Sequence, residues 1–172
     1  MYCERCGHAL AERTVTEHGR QLLRHACTAC DYIRYGNPVP VVQCIVERDG
    51  HILMARNLDW PPNMYGLVSG FLEAREQPAA GMARELQEEV ALTVQPAALR
   101  LVGVATFGRL NQLLVLYHVR VAADTEVMAN EEELAGIKWV PFHRIRFRWS
   151  DGAGPLLKAW LAERAATGRS KL

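Results

Sequence analysis

The sequence predicts an α/β domain preceded by a small cysteine-rich module, and three observations lead to this fold class. The chain has 172 residues, which is enough for one domain of ordinary size and a small extra module. Two closely spaced cysteine pairs lie near the N-terminus, and strand-like segments followed by an amphipathic helix occupy the middle of the chain. Glycine and proline within residues 35–38 indicate a loop, so we place a domain boundary there, between residues 1–36 and 37–172.

Composition and charge argue against several classes of protein. Apolar residues make up 49% of the chain and charged residues 23%, as is usual for a globular protein, and the formal net charge is +1. This balance gives no support for a nucleic-acid partner. No apolar run reaches the roughly 20 residues that a membrane span requires, and no signal-peptide pattern follows Met1. We therefore expect a cytoplasmic protein without a membrane or nucleic-acid partner.

Four of the five cysteines have the spacing of a zinc ribbon. Two residues separate the members of each pair and twenty residues separate the pairs, which are Cys3 with Cys6 and Cys27 with Cys30. Two such turns supply the four thiolates of a tetrahedral Zn2+ site that is closed to further ligands. We therefore predict a zinc ion that stabilises the module. Two disulfides are the alternative, but disulfides are rare in the reducing cytosol.

The region after the boundary alternates between strand-like and helical patterns. Asp49-Gly50 is a dipeptide typical of a hairpin turn, and Cys44 in the preceding apolar run is expected to be a small buried hydrophobe. Pro78 suits the first position of a helix whose apolar stripe ends at Val90. Strands are predicted at residues 39–46, 51–55, 64–70 and 137–140, and a second helix is predicted at residues 154–164.

Three carboxylates cluster on the first predicted helix. Glu85, Glu88 and Glu89 occupy positions i, i+3 and i+4, so they share one face, where like charges repel unless a cation lies nearby. Arg84 offers partial compensation, since it lies one turn before Glu88 and can reach back to Glu76. Carboxylate oxygens are hard ligands and favour Mg2+ or Mn2+. The alternative is a solvated acidic helix face without a metal.

The stretch from residue 70 to residue 92 resembles the Nudix box. Eight of its nine specified positions match, and they are Gly70, Glu76, Arg84, Glu85, Leu86, Glu88, Glu89 and Leu92. The exception is Ala91, which stands where the family has a glycine in the left-handed conformation after the helix. Keeping that conformation with alanine costs on the order of 1 kcal/mol.

The resemblance implies a fold, an activity and a set of site residues. A Nudix domain preceded by a zinc ribbon is similar to the bacterial NADH pyrophosphatase branch of the superfamily, whose members fold as a mixed sheet between helices. The implied enzyme is a Mg2+- or Mn2+-dependent hydrolase that cleaves the diphosphate linkage of a nucleotide derivative. Carried over by position, Glu85, Glu88 and Glu89 are metal ligands and the backbone carbonyl of Gly70 is a possible further ligand. Glu76 and Arg84 form the charged frame of the box, and a homodimer is expected.

Further site residues are assigned by position. Glu133, in the acidic loop before the strand at 137–140, is expected to reach the metals, although a solvated acidic loop is the alternative. Arginine suits bidentate phosphate binding, and the candidates are Arg56, Arg109, Arg144, Arg146 and Arg148. Aromatic side chains that could stack on a base are Trp60, Tyr65, Phe71, Phe107 and Trp149, of which Phe71 is favoured because it adjoins the box.

The substrate and two competing functions stay open at this stage. The downstream signature of NADH pyrophosphatases is absent, since residues 106–112 read Thr-Phe-Gly-Arg-Leu-Asn-Gln, and the proline that is typical of ADP-ribose hydrolases is missing as well. Dinucleotides such as NADH or FAD are the favoured class, with nucleotide sugars and modified nucleotides as alternatives. A non-catalytic nucleotide sensor or nucleic-acid-binding regulator is the competing function, and a catalytic role for the zinc is a weaker one.

Overall fold

The computed structural model describes residues 1–146 and 152–169, which form two compact units, Met1–Asn37 and one that begins at Pro38. The first unit is a three-stranded antiparallel sheet in the order β1-β2-β3, with strands β1 (Leu10–Glu17), β2 (Arg20–Cys27) and β3 (Ile33–Arg34). The β1–β2 turn consists of His18 and Gly19, both with positive φ, as a two-residue hairpin with the twist of its strands requires.

The second unit is a mixed α/β fold, which confirms the predicted fold class. Its elements are β4 (Val39–Arg48), β5 (His51–Asn57), β6 (Val68–Phe71), α1 (Pro78–Val90), β7 (Arg100–Phe107), β8 (Gln112–Arg120), β9 (Leu134–Pro141) and α2 (Gly154–Arg169). The sheet order is β7-β8-β4-β5-β9, and β6 pairs with β4. Strands β4 and β8 run parallel, whereas the other pairs are antiparallel.

Most predicted elements lie where the sequence placed them, with shifted ends. The hairpin at Asp49-Gly50 is confirmed, and both residues have positive φ. The strand predicted at residues 64–70 starts later, at Val68, because Gly66 makes only an isolated bridge to Ala55. The last strand starts earlier than predicted, at Leu134, so the acidic residues before it form a turn.

The two helices are associated with different apolar clusters on the two faces of the sheet. Val42, Cys44 and Val46 of β4 are fully buried in one cluster with α1, which contributes Met82 and Leu86. The alternating residue Ile45 belongs to the other cluster, which contains Leu157 and Trp160 of α2. Burial raises the pKa of the Cys44 thiol, so Cys44 acts as the small hydrophobe that its position in the sequence predicts.

A buried charge cluster joins α2 to the sheet. Glu47 of β4 is 3% exposed, and its carboxylate lies 2.8 Å from His118, 2.5 Å from Arg120 and 2.8 Å from Arg164. Burial opposes ionisation of Glu47, but the hydrogen bonds from Arg120 and His118 outweigh it and hold the pKa of Glu47 below its usual range. The His118 ring also packs against Trp160, with 5.0 Å between ring centroids. Side chains from β4, β8 and α2 therefore meet at one carboxylate.

Helix α1 has the ends that the box predicts, although two usual capping groups are missing. Pro78 occupies the first turn, and the N-cap residue Gln77 makes no side-chain capping bond. At the other end, Ala91 adopts the left-handed conformation, with φ 55° and ψ 25°. The N–H of Leu92 then donates to the carbonyl of Leu86 at 3.0 Å. Alanine thus keeps the cap geometry that the family forms with glycine.

Within residues 1–146 and 152–169, no helix combines the length and apolar character that crossing a membrane requires.

Candidate active site

Strand β6 and helix α1 bring the residues of the box together. The carboxylate of Glu85 lies directly against the backbone of Gly70, and a Cβ atom on residue 70 would overlap it. Gly81 on α1 has a comparable role, because a Cβ there would lie 2.5 Å from Leu72 and 2.7 Å from a carboxylate oxygen of Glu76. Two glycines therefore permit the close approach of strand, loop and helix that clusters the acids.

Arg84 is the centre of the hydrogen-bond network at this site. Its guanidinium donates to both carboxylate oxygens of Glu76 at 2.9 Å, and to Glu85 and Glu88 at 2.8 Å each. It also donates to the backbone carbonyl of Phe71 at 3.0 Å. A planar group with five N–H donors can serve all these acceptors at once, which a lysine cannot. The structure thus joins Arg84 to Glu76 by two hydrogen bonds, and the role of this pair as the frame of the site stays a prediction.

Two of the glutamates are buried, and burial makes their ionisation unfavourable. Glu85 and Glu89 are each 8% exposed, whereas Glu88 is exposed. Burial raises the pKa of Glu89 to about 8, with a contribution from the neighbouring charge of Glu85, while the backbone N–H of Ser69 lowers it. Burial also raises the pKa of Glu85. Two carboxylates in such an environment favour a nearby cation.

The loop before β9 lies next to the end of α1. The backbone N–H of Asn130 donates to the carbonyl of Glu89 at 2.8 Å, and Asn130 contacts the Glu133 carboxylate at 3.4 Å. The charge of Glu133 contributes to the raised pKa of both Glu85 and Glu89. The structure therefore brings the predicted loop residue into electrostatic range of the helix carboxylates.

The donor set fits a hard divalent cation. Glu85, Glu88, Glu89 and Glu133 supply only oxygen ligands, and the backbone of Gly70 adjoins Glu85. Arg84 contacts Glu85 and Glu88, whereas Glu89 faces the backbone of Ser69. One guanidinium does not balance this many acids, so one or more cations would complete the charge balance. The ligand roles of these residues stay a prediction.

The four cysteines of the first unit form a separate, tighter cluster. Their ligand atoms all lie within 4.8 Å of one another, and in the described ranges no other group of three or more His, Cys, Asp or Glu residues converges this closely. The sulfur separations are 3.4 Å for Cys6–Cys27, 3.5 Å for Cys6–Cys30 and 3.8 Å for Cys3–Cys30. A tetrahedral site with Zn–S bonds of about 2.3 Å requires roughly 3.8 Å between sulfurs.

The backbone around the cysteines also suits thiolate ligands. The N–H groups of Arg5 and Ala29 point at the sulfur atoms of Cys3 and Cys27, at 3.4 Å in both cases. The contact from Ala29 contributes most to the pKa of Cys27, which is lowered to about 6. All five cysteines are free thiols, so the disulfide alternative has no support in the structure. The cluster is compatible with a zinc ribbon.

The three predicted substrate contacts lie in different settings. Phe71 is 59% exposed at the end of β6 and adjoins the box. Arg56 donates to the backbone carbonyls of Trp60 at 3.2 Å and Ala135 at 3.4 Å, so it links the loop after β5 to the start of β9. Arg109 is exposed in the short turn between β7 and β8. Their roles toward a substrate stay predictions.

The other candidates are spread over the second unit. Arg144 and Arg146 are exposed after β9, and Tyr65 packs under Lys138 at 3.4 Å. Phe107 ends β7. Arg148 and Trp149 lie outside the described residues.

Two features of the second unit were not anticipated from the sequence. The ion cluster around Glu47 joins residues that are far apart in sequence, so only the structure reveals it. Gln43 is a polar residue within the apolar run of β4, and the sequence alone shows this interruption.

Comparison with known proteins identifies the family. The NUDIX domain model matches residues 37–160, so the chain belongs to the Nudix domain family. The chain is 33% identical over 109 residues to "NAD-capped RNA hydrolase NudC" of Mycobacterium tuberculosis, a match that covers 62% of this chain and 34% of that protein. It is 26% identical over 134 residues to the protein of the same name from Pseudomonas aeruginosa, covering 78% of this chain and 46% of that one.

A solved structure matches almost the whole chain. It is a NUDIX hydrolase from Nitrosomonas europaea, with a TM-score of 0.74 and 27% identity, covering 96% of this chain and 92% of that one. The chain spans only about a third to a half of the length of the NudC proteins that it matches. The family resemblance inferred from the box is confirmed.

Proposed function

We propose that the protein hydrolyses the diphosphate linkage of a nucleoside diphosphate derivative in a reaction that depends on Mg2+ or Mn2+. The observation that carries this proposal is the set of carboxylates on α1, with Glu85 against Gly70 and Arg84 bridging Glu76, Glu85 and Glu88. A solvated acidic face would not require two buried glutamates beside a strand. Membership of the Nudix domain family supports the same reaction class.

The residues of the site have different roles in the proposed reaction. Glu85, Glu88, Glu89 and Glu133 would hold the cation, with the carbonyl of Gly70 as a further oxygen ligand. When bound there, the cation would screen the diphosphate charge and lower the pKa of the attacking water. A glutamate of the site accepts the proton from that water, which attacks phosphorus as the bridging P–O bond breaks. Arg84 and Glu76 hold the carboxylates in place.

The favoured substrates are dinucleotides such as NADH or FAD. Two proteins that the chain resembles are named NAD-capped RNA hydrolases, which adds NAD-linked RNA ends to the substrates worth testing. Such a substrate would overturn the expectation that the protein has no nucleic-acid partner. Phe71, Arg56 and Arg109 are the proposed contacts for base and phosphate.

We also propose separate roles for the two parts of the chain. Residues 1–36 form a zinc ribbon in which Zn2+ on Cys3, Cys6, Cys27 and Cys30 is structural, and residues 37–172 form the hydrolase domain. The close sulfur cluster supports a metal that stabilises the first unit. A homodimer stays the expected assembly.

The experiment is a hydrolysis screen over NADH, NAD, FAD, ADP-ribose, dinucleoside polyphosphates and an RNA with a 5′ NAD cap. Turnover should require Mg2+ or Mn2+ and fall at least about a hundredfold in Glu88→Gln. Glu126→Gln, at an exposed position outside the box, is the matched control and should retain full turnover. Absence of turnover with both metals on every substrate would refute the proposal and favour a non-catalytic nucleotide sensor.

A further inference from the structure

Two cations, Arg56 and Lys138, lie on the same face of the sheet. Strand β9 pairs with β5 so that Lys138 is opposite Met54 and Gly136 is opposite Arg56. Side chains alternate along a strand, and Met54 belongs to the apolar cluster that includes residues of α2, so both cations are on that face. They are diagonal neighbours, whose Cα atoms are roughly 7 to 8 Å apart and whose long side chains can meet.

The ammonium of Lys138 is positioned by an aromatic ring. Its Nζ atom lies 3.4 Å from the centroid of the Tyr65 ring, which is a cation–π contact. Gly66 forms two backbone hydrogen bonds with Ala55, both at 2.9 Å, so Tyr65 comes next to Arg56 across this bridge. The same aromatic residue therefore adjoins both cations.

Neither cation forms an ion pair with a carboxylate of the described residues. Arg56 uses two of its five N–H donors on the backbone carbonyls of Trp60 and Ala135. The ring of Tyr65 attracts the ammonium of Lys138 but accepts none of its N–H groups as an oxygen atom would. Donors are thus left on both side chains, and two neighbouring positive charges favour an anion between them.

The surface beside these two cations is open to a ligand. Lys138 is exposed and Arg56 is partly exposed. Between them on β9, Gly136 has no side chain, and a Cβ atom there would meet nothing within 4 Å. A molecule from solvent can therefore reach the donors of both groups.

The two cations also lie near the acidic loop of the candidate active site. Ala135, whose carbonyl accepts a bond from Arg56, is two residues after Glu133, a separation of about 7 Å along an extended strand. The N–H of Leu58 donates to the carbonyl of Glu133 at 3.1 Å, which attaches the loop after β5 to the acidic loop. A diphosphate that begins at the acids can thus extend one phosphate toward Arg56.

We propose that Lys138 and Arg56 bind the phosphate group of the substrate that lies further from the carboxylates. The inference rests on the proposed function, because it assigns a second phosphate subsite to that reaction. Arginine supplies a planar set of donors and lysine a point charge to the same phosphate. The ligand class is a nucleotide with two linked phosphates, of which a cation on the carboxylates takes one and Lys138 with Arg56 takes the other.

Binding of a stable diphosphate analogue tests this subsite without turnover. The probes are α,β-methylene-ADP, whose P–C–P bridge resists hydrolysis, and AMP, and their dissociation constants would be measured by titration calorimetry with Mg2+ present. Lys138→Met removes the charge but keeps an unbranched side chain against Tyr65. It should weaken binding of the analogue at least about fivefold and binding of AMP less than about twofold, because AMP has no second phosphate.

Two further variants serve as controls. Lys138→Arg keeps a cation beside Tyr65 and should bind the analogue within about twofold of wild type. Lys158→Met, at an exposed position on α2, removes the same charge elsewhere and should change neither dissociation constant. Thermal melting of each variant shows whether it is folded.

Each result bears on Lys138 separately from the reaction. Equal affinity of wild type and folded Lys138→Met for the analogue would overturn the assignment, as would an equal loss of affinity for AMP. A similar loss in Lys158→Met would overturn it by showing a general effect of net charge, and so would failure of wild type to bind the analogue. Failure of the proposed function would instead appear as wild-type protein that binds the analogue through Lys138 but turns over no dinucleotide.

Discussion

The carboxylate of Glu85 rests against the backbone of Gly70, with no room between them for a β-carbon. Gly70→Ala should therefore displace Glu85 or open the contact between β6 and α1. We expect kcat/KM for the best substrate to fall at least about tenfold and the free energy of unfolding to fall by about 1 to 3 kcal/mol. Steady-state kinetics and denaturant unfolding measure the two effects. Gly108→Ala, where an added Cβ meets nothing within 4 Å, should change neither.

Arg84 should not be replaceable by lysine. A lysine at this position would keep the charge but lose the fork that serves Glu76, Glu85, Glu88 and the carbonyl of Phe71 together. We expect Arg84→Lys to lower kcat at least about tenfold and to raise the Mg2+ concentration needed for half-maximal activity. Arg100→Lys, an exposed change at the start of β7, is the control. Equal metal dependence in wild type and Arg84→Lys would contradict the positioning role.

Replacing Ala91 by glycine should stabilise the protein, because residue 91 has a conformation that glycine adopts without strain. Ala91→Gly keeps the left-handed cap after α1 and should raise the free energy of unfolding by up to about 1 kcal/mol, with a Tm increase of about 2 to 4 °C. Ala80→Gly, inside the same helix, should lower the stability by about 1 kcal/mol. Differential scanning calorimetry distinguishes the two changes, and a lower Tm for Ala91→Gly would show that strain at the cap is negligible.

Cys27→Ser should release zinc and loosen the first unit while leaving the chemistry of the second unit in place. Cys27 is fully buried among the other sulfurs, so losing it removes one of the four thiolates. Metal analysis should show less than one zinc per chain, and limited proteolysis should cleave within residues 1–36. Cys44→Ala should keep the zinc but lower Tm, because Cys44 fills the apolar core. Loss of turnover in a folded Cys27→Ser protein would instead favour a catalytic zinc.

The ion cluster at Glu47 should make the protein less stable at acid pH. The pKa of Glu47 lies below its ordinary value of 4.5, so its stabilising ionised form is lost as the pH falls through the folded-state pKa. Burial lowers the pKa of His118 below 6.5, so unfolding takes up a proton and stability declines below that pH as well. Both effects point the same way. Among the described residues, Arg120 and Arg164 are the other charged groups paired with Glu47.

Thermal melting of Glu47→Gln measures the contribution of Glu47. At pH 7 the variant should be about 1 to 2 kcal/mol less stable than wild type, because it weakens the charged hydrogen bonds of two partly solvated arginines. The difference should shrink as the pH falls below 4.5 and wild-type Glu47 takes up a proton. A difference that stays constant with pH would show that Glu47 acts by packing alone.

Local sequence signals predicted the parts of the molecule that depend on local chemistry. The hairpin at Asp49-Gly50 and the start of α1 at Pro78 follow from the conformational limits of those residues. The convergence of the four cysteines followed from their spacing. At Ala91 the family geometry is kept, because the bond from Leu92 to Leu86 fixes the cap despite the side chain.

The remaining features depend on contacts between distant residues. Nothing in residues 39–47 indicates that β4 pairs in parallel with β8, or that Glu47 would meet Arg164 of the last helix. The partner of a strand is set by the packing of the whole sheet rather than by its own residues. The sequence likewise does not predict that Ser69 and Phe71 lie on the same face of the sheet as Gln43, because this follows from the register of β4 and β6.

The parallel pairing of β4 with β8 also constrains the order of folding. Val39 lies beside Gln112 and Glu47 beside Arg120, so the chain between them, which includes α1, forms a long loop that must close before this pairing exists. During synthesis, the helix with its carboxylates would leave the ribosome well before β8 does. We therefore expect β4 to gain its pairing with β8 late in folding. Until then, the edge of β4 that will pair with β8 stays unpaired in the nascent chain and is the edge most exposed to pairing with other chains.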